Sequence, residues 1–123
     1  MSQLSKILRD TEGGGLTFFC PGCNEAHMIR HGDGPGPRWG WNGNAEKPTF
    51  TPSVLVTGLQ TIRDASGRWT GEYVRDANGK PLPGVCHSFV TDGRIQFLGD
   101  CTHALAGQTV DIPPMPAMRT NEE

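Results

Sequence analysis

Apolar and polar residues alternate along much of this chain, most regularly between Val85 and His103. "VCHSFV" and "RIQFL" switch sides at every step, and Asp92-Gly93 between them is a strong two-residue hairpin signal. With that turn in place, Thr91 faces Arg94, Val90 faces Ile95 and Ser88 faces Phe97. Successive side chains on a strand point to opposite faces. Cys86, Val90, Ile95 and Phe97 therefore share one face, and His87, Phe89 and Leu98 share the other. Continuing the second strand puts Cys101 and His103 on the Cys86 side.

The rest of the chain reads as short strands and turns. Leu4, Ile7 and Leu8 have the spacing of one side of a short helix over residues 1–10. Leu16–Phe19 predicts a strand that runs into "CPGC", and "AHMIRH" predicts a second strand leaving it. "GDGPGP" (32–37) is a loop by composition, and it lacks the Gly-Lys-Ser/Thr ending of a phosphate loop. Trp39 and Trp41 fall on the same side of a strand. "KPTFTPSVLVTG" is extended, with a strand at "SVLV" and Pro48 and Pro52 at its entry or edge. Residues 59–83 are polar and carry two turn signals, "ASG" and "ANG", around the alternating run "RWTGEYV". They read as an excursion from the core. A last strand is expected near Thr109–Ile112. The organisation is one domain over residues 1–112 and a loose tail over 113–123.

Composition supports a mostly β fold. The chain has 17 glycines and 10 prolines among 123 residues, and both are poor in helix interiors. Hydrophobic residues make up 35%, a lean supply for a small core, and small domains often need a staple. The net charge of −2 argues against binding nucleic acid by bulk charge. No apolar run reaches membrane-spanning length, and "MSQLSKILRD" has no signal-peptide core. The cytoplasm is the expected compartment. There, four cysteines read as metal ligands or free thiols rather than disulfides.

The candidate staple is zinc, which takes about four nitrogen or sulfur ligands in a tetrahedron. Cys20 and Cys23 supply two from one tight turn. The hairpin supplies Cys86 and a fourth ligand, His103 with Cys101 as its alternate. The metal then ties the N-terminal knuckle to the C-terminal hairpin, with His87 on the opposite face and His27 read as a strand residue leaving the knuckle. A redox pair is a poorer reading of "CPGC", because no helix starts at its second cysteine. The His-x-Glu and Pro-Cys-x-x-Cys set of zinc deaminases is absent, as is His-Glu-x-x-His. Four protein ligands would make the metal structural. An open position would allow hydrolysis.

Four further residues are candidate ligand-binding groups. Trp39 and Trp41 can form an aromatic platform, although two same-face tryptophans also suit a core. Asp100 lies close to Thr102 and His103 and can orient a histidine or act with it as a base pair, and His87 is a separate candidate for a ligand or site role. "KPTFTPS" offers a polar strip of Lys47, Thr49, Thr51 and Ser53.

Taken in order, "FFCPGCNEAH", "WGWNGNAEKPTFTPSV" and "CHSFVTDGRIQFLGDCTHALAGQTV" resemble a family of small phage and prophage proteins of unknown function, sometimes mislabelled ammonia monooxygenase. The resemblance covers most of residues 16–112. A looser likeness is to zinc folds of the β-tent type, which pair a CxxC knuckle with a later ligand pair. The resemblance implies a phage-encoded accessory protein acting in a bacterial cytoplasm. With a structural-looking metal set and no complete catalytic constellation, the expected function is non-enzymatic, a zinc-binding module for a host protein or small ligand, with counter-defence as one such role. The alternative is a zinc-dependent hydrolase or nucleotide-processing enzyme with an open metal position and Asp100 or His87 as base.

Overall fold

The computed structural model describes residues 2–116. It contains eleven strands: β1 (Ser2–Gln3), β2 (Arg9–Thr11), β3 (Gly15–Cys20), β4 (Glu25–Arg30), β5 (Gly40–Trp41), β6 (Phe50–Leu59), β7 (Thr61–Arg63), β8 (Trp69–Tyr73), β9 (Pro83–Thr91), β10 (Arg94–Phe97) and β11 (Thr109–Asp111). No helix occurs among the described residues, so the fold is mostly β and built as one small domain.

The strands form a four-stranded sheet in the order β1-β2-β3-β4 and a five-stranded sheet in the order β11-β10-β9-β6-β5. A separate ribbon, β7-β8, carries the polar excursion. One cluster of buried residues joins the two larger sheets. Leu16, Phe18 and Ile29 come from the first, and Phe50, Val54, Val90, Ile95 and Phe97 from the second. Phe18 and Phe50 meet across the interface with ring centroids 5.9 Å apart, within the range in which aromatic pairs add to area burial.

The β9–β10 hairpin has the expected register, with Thr91 opposite Arg94, Val90 opposite Ile95 and Ser88 opposite Phe97. Asp92 and Gly93 both take positive φ, 51° and 77°, as a two-residue turn matched to strand twist requires. Cys86, Ser88 and Val90 are buried. Phe89 and Thr91 are exposed, and His87, which precedes them on the same face, is half-buried.

The N-terminal helix is not formed. Ser5 Oγ instead accepts from the Ile7 and Leu8 amides, at 3.2 and 3.1 Å, and turns the chain between β1 and β2. A serine that caps its own local amides competes with helix propagation. In the expected tail, Met115 N donates to Lys6 O at 2.8 Å, and residues 117–123 lie outside the described residues.

Candidate functional site

Two clusters occupy opposite faces of the β6–β9 pair. The outer one begins with an irregularity. β6 pairs regularly with β9 from Val54 (opposite Ser88) to Leu59 (opposite Pro83), but Phe50 pairs with Val90. Residues 51–53 therefore have only Phe89 to match, and the register shifts there. Bulges re-aim side chains beside active sites, and this one directs Ser53 at His87.

Ser53 Oγ is 3.0 Å from His87 Nε2, and His87 Nδ1 is 3.1 Å from Asp100 Oδ2. With Nδ1–H donating to the carboxylate, Nε2 is free to accept the Ser53 hydroxyl proton. This is the serine–histidine–carboxylate relay of nucleophilic acyl transfer. The His87 and Asp100 side chains are 27% and 57% exposed, so the relay is open to a substrate. His87 is further held through its main chain. Its amide donates to Cys101 Sγ at 3.3 Å, and its carbonyl accepts from Cys101 Sγ at 3.2 Å and from Leu98 N at 2.9 Å. Trp39 Nε1 donates to the Ser53 carbonyl at 3.0 Å.

The inner cluster joins the two sheets. Ligand atoms of Cys20, Cys23, His27 and Cys86 all lie within 4.8 Å of one another, close enough to hold a metal ion. Cys20 Sγ and Cys86 Sγ are 3.7 Å apart, and the Cys23 amide donates to Cys20 Sγ at 3.4 Å. His27 lies opposite Phe18 in the β3–β4 register and points inward. Its Nε2 is buried without a hydrogen-bond partner. The three thiols cannot all ionise at such short range. Hydrogen bonds from Cys23 and Cys86 pull Cys20 far below the usual thiol range. Hydrogen bonding to Cys20 pushes Cys23 up to about 12 and Cys86 upward as well. A bound cation would relieve that conflict.

The candidate residues are thus redistributed. Cys20, Cys23 and Cys86 come together as expected, but the fourth member of their set is His27 rather than His103. His103 Nδ1 accepts from Leu105 N at 3.2 Å. Its ring stands edge-to-face on Phe97, centroids 4.4 Å apart, and lies where a β-carbon on Gly22 would collide with it. Burial lowers its pKa, and its Nε2, like that of His27, is buried without a hydrogen-bond partner. His103 and Cys101 form a neighbouring group with Cys86, again within 4.8 Å. His87 and Asp100 meet each other. Trp39 touches the Ser53 backbone, but Trp41 packs on His31 instead, centroids 5.1 Å apart, so the two tryptophans make no common platform.

Sequence reasoning passed over Ser53 as a nucleophile. "TPSV" lacks the glycines of a nucleophile elbow, and the chain order Ser–His–Asp differs from the familiar hydrolase orders. The available signal was the pairing of "SVLV" with "VCHSFV", which brings a serine beside His87.

The fold and site are those of a small β protein with a serine-hydrolase relay on one face of a sheet and a thiol–imidazole set on the other. The chain belongs to the family described as bacterial ubiquitination-like system serine protease (BubE), whose model matches residues 2–98. That match includes Ser53 and His87 and stops two residues short of Asp100. No curated protein and no solved structure matches the chain. Membership in a family of proteases overturns the expectation of a non-enzymatic phage accessory protein, and with it the zinc-hydrolase alternative. Among the described residues no helix is long and apolar enough to cross a membrane.

Proposed function

We propose that this chain is a serine protease acting in a bacterial ubiquitination-like system, with Ser53 as nucleophile, His87 as general base and acid, and Asp100 as the group that orients His87. The observation that carries this reading is the continuous relay Ser53–His87–Asp100, with links of 3.0 and 3.1 Å. His87 Nε2 takes the hydroxyl proton as Ser53 Oγ attacks the substrate carbonyl. It then returns that proton to the leaving group, which departs and leaves an acyl-Ser53 ester. Water, deprotonated by the same nitrogen, hydrolyses the ester and restores Ser53. Asp100 keeps the proton on Nδ1 and favours the imidazolium that forms.

The metal of the inner cluster is read as zinc with a structural role. Three sulfurs and one imidazole suit zinc, and a fourth protein ligand leaves no position for a reacting water. Its contribution is to join the knuckle to β9 behind His87.

The test compares purified protein with Ser53→Ala on p-nitrophenyl acetate and on a quenched-fluorescence peptide library. Loss of the nucleophile is expected to lower kcat by at least ~10³-fold. Undiminished turnover by Ser53→Ala would overturn the assignment.

A further inference from the structure

We infer that the free edge of β6, from Leu55 to Leu59, is the seat of the substrate's main chain, which binds as an added extended strand and delivers its scissile bond to Ser53. This rests on the protease reading above.

β5 pairs only with Phe50 and Thr51 of β6. Among the described residues no strand pairs with the remainder of that edge. On β9, the Val85 amide and carbonyl bond to Thr102, and those of His87 bond to Cys101 and Leu98. The intervening residues Cys86 and Ser88 thus direct their main-chain groups at β6, opposite Val56 and Val54. Antiparallel alternation then leaves the N–H and C=O groups of Leu55, Thr57 and Leu59 on the outer edge. The Ser53 carbonyl points the same way, where Trp39 takes it. Edge donors therefore begin two residues, about 7 Å, from the nucleophile.

Space for a chain lies alongside. A cavity of about 300 Å³ lies over Val56–Leu59 of β6 and Gly84–Cys86 of β9 and is walled by Gly22–Glu25 of the knuckle and by Arg63. On the outer face, Leu55 and Phe89 flank His87 and are 55% and 43% exposed. An added strand would alternate its side chains between this apolar pair and the cavity. Exposed edges are ordinarily blunted by lysine, proline or a bulge. "VLVTGL" (54–59) has none of these past the bulge at 51–53. Strand addition to such an edge is a general mode of peptide recognition.

The test uses the best-cleaved decapeptide of a quenched-fluorescence library and a set of analogues N-methylated at one amide each. The expected result is a loss of at least tenfold in kcat/KM at alternate positions on one side of the scissile bond, with little change between them. Equal tolerance at every position, or loss only at the scissile amide, overturns the inference. Thr57→Pro removes an outer-edge donor but no bond to β9, and it should lower the ratio of decapeptide to p-nitrophenyl acetate turnover at least tenfold. A Thr57→Pro protein whose ratio holds while its self-association changes would make a second copy the occupant and overturn the inference too. Failure of the unaltered protein to react with a fluorophosphonate would instead sink the protease reading. Reaction together with a flat N-methyl scan sinks the edge alone.

Discussion

Cys86 and His87 are consecutive residues of β9 that serve opposite faces of the same sheet. Cys86 Sγ lies 3.7 Å from Cys20 Sγ in the inner cluster, while the His87 ring sits between Ser53 and Asp100. Asp100 and Cys101 repeat the division. Asp100 Oδ2 reaches the His87 ring from outside, and Cys101 Sγ exchanges two hydrogen bonds with the His87 main chain from within. The strand that presents His87 is thus held from behind by the thiol set. The two clusters share a backbone.

Removal of the metal should cost stability and activity together. Dialysis against a strong chelator, or Cys20→Ala, is expected to lower unfolding free energy by more than about 4 kcal/mol, the scale reserved for loss of a metal or its equivalent. Thermal unfolding with and without added zinc measures this. Full stability in Cys20→Ala would show that the cluster holds nothing together.

Metal binding should release protons. The three adjacent thiols do not ionise together: hydrogen bonds from Cys23 and Cys86 pull Cys20 down, while the contact with Cys20 pushes Cys23 up to about 12 and Cys86 up as well. Binding through all three sulfurs then displaces about two protons per ion. Affinity accordingly falls as pH falls, because protons compete for the same sulfurs. Calorimetric titration with zinc in buffers of differing ionisation enthalpy counts the protons. Release of none would contradict the ligand set.

Asp100→Asn should impair turnover by roughly 10²- to 10⁴-fold while leaving the fold intact, because Asn can favour the wrong tautomer of His87. The Asp100 side chain is 57% exposed, so its replacement opens no core cavity. Steady-state kinetics with a thermal melt separates the two effects. An unchanged kcat would remove Asp100 from the relay.

Cys101 is a positioning residue for His87 on this geometry. Cys101→Ala, which loses both hydrogen bonds without adding bulk, is expected to lower kcat about tenfold with a smaller change in KM. Cys101→Ser, which can donate and accept, should recover most of it. Equal behaviour of the two variants would assign Cys101 to packing alone.

Much of the fold was legible because alternation and turn chemistry are local. Asp92-Gly93 determined the hairpin register residue by residue, and with it the separation of Cys86 from His87. Three of the four members of the thiol–imidazole cluster were legible as neighbours. His27 was missed because the sequence alone does not say which face of β4 turns inward; that follows from packing of Phe18 and His27 against the second sheet. Ser53 was missed for a related reason. Its direction depends on a bulge at residues 51–53, and a bulge is a property of two paired strands, visible in neither one alone. The N-terminal helix failed where Ser5 satisfied nearby amides and favoured a turn over helix periodicity.

Proteolysis through this relay requires that His87 activate Ser53 as a nucleophile. Treatment with a fluorophosphonate followed by digestion and mass spectrometry tests it most directly. The relay predicts one adduct per chain, on Ser53, formed far more slowly in His87→Ala. No adduct on Ser53, or the same rate in His87→Ala, would contradict it.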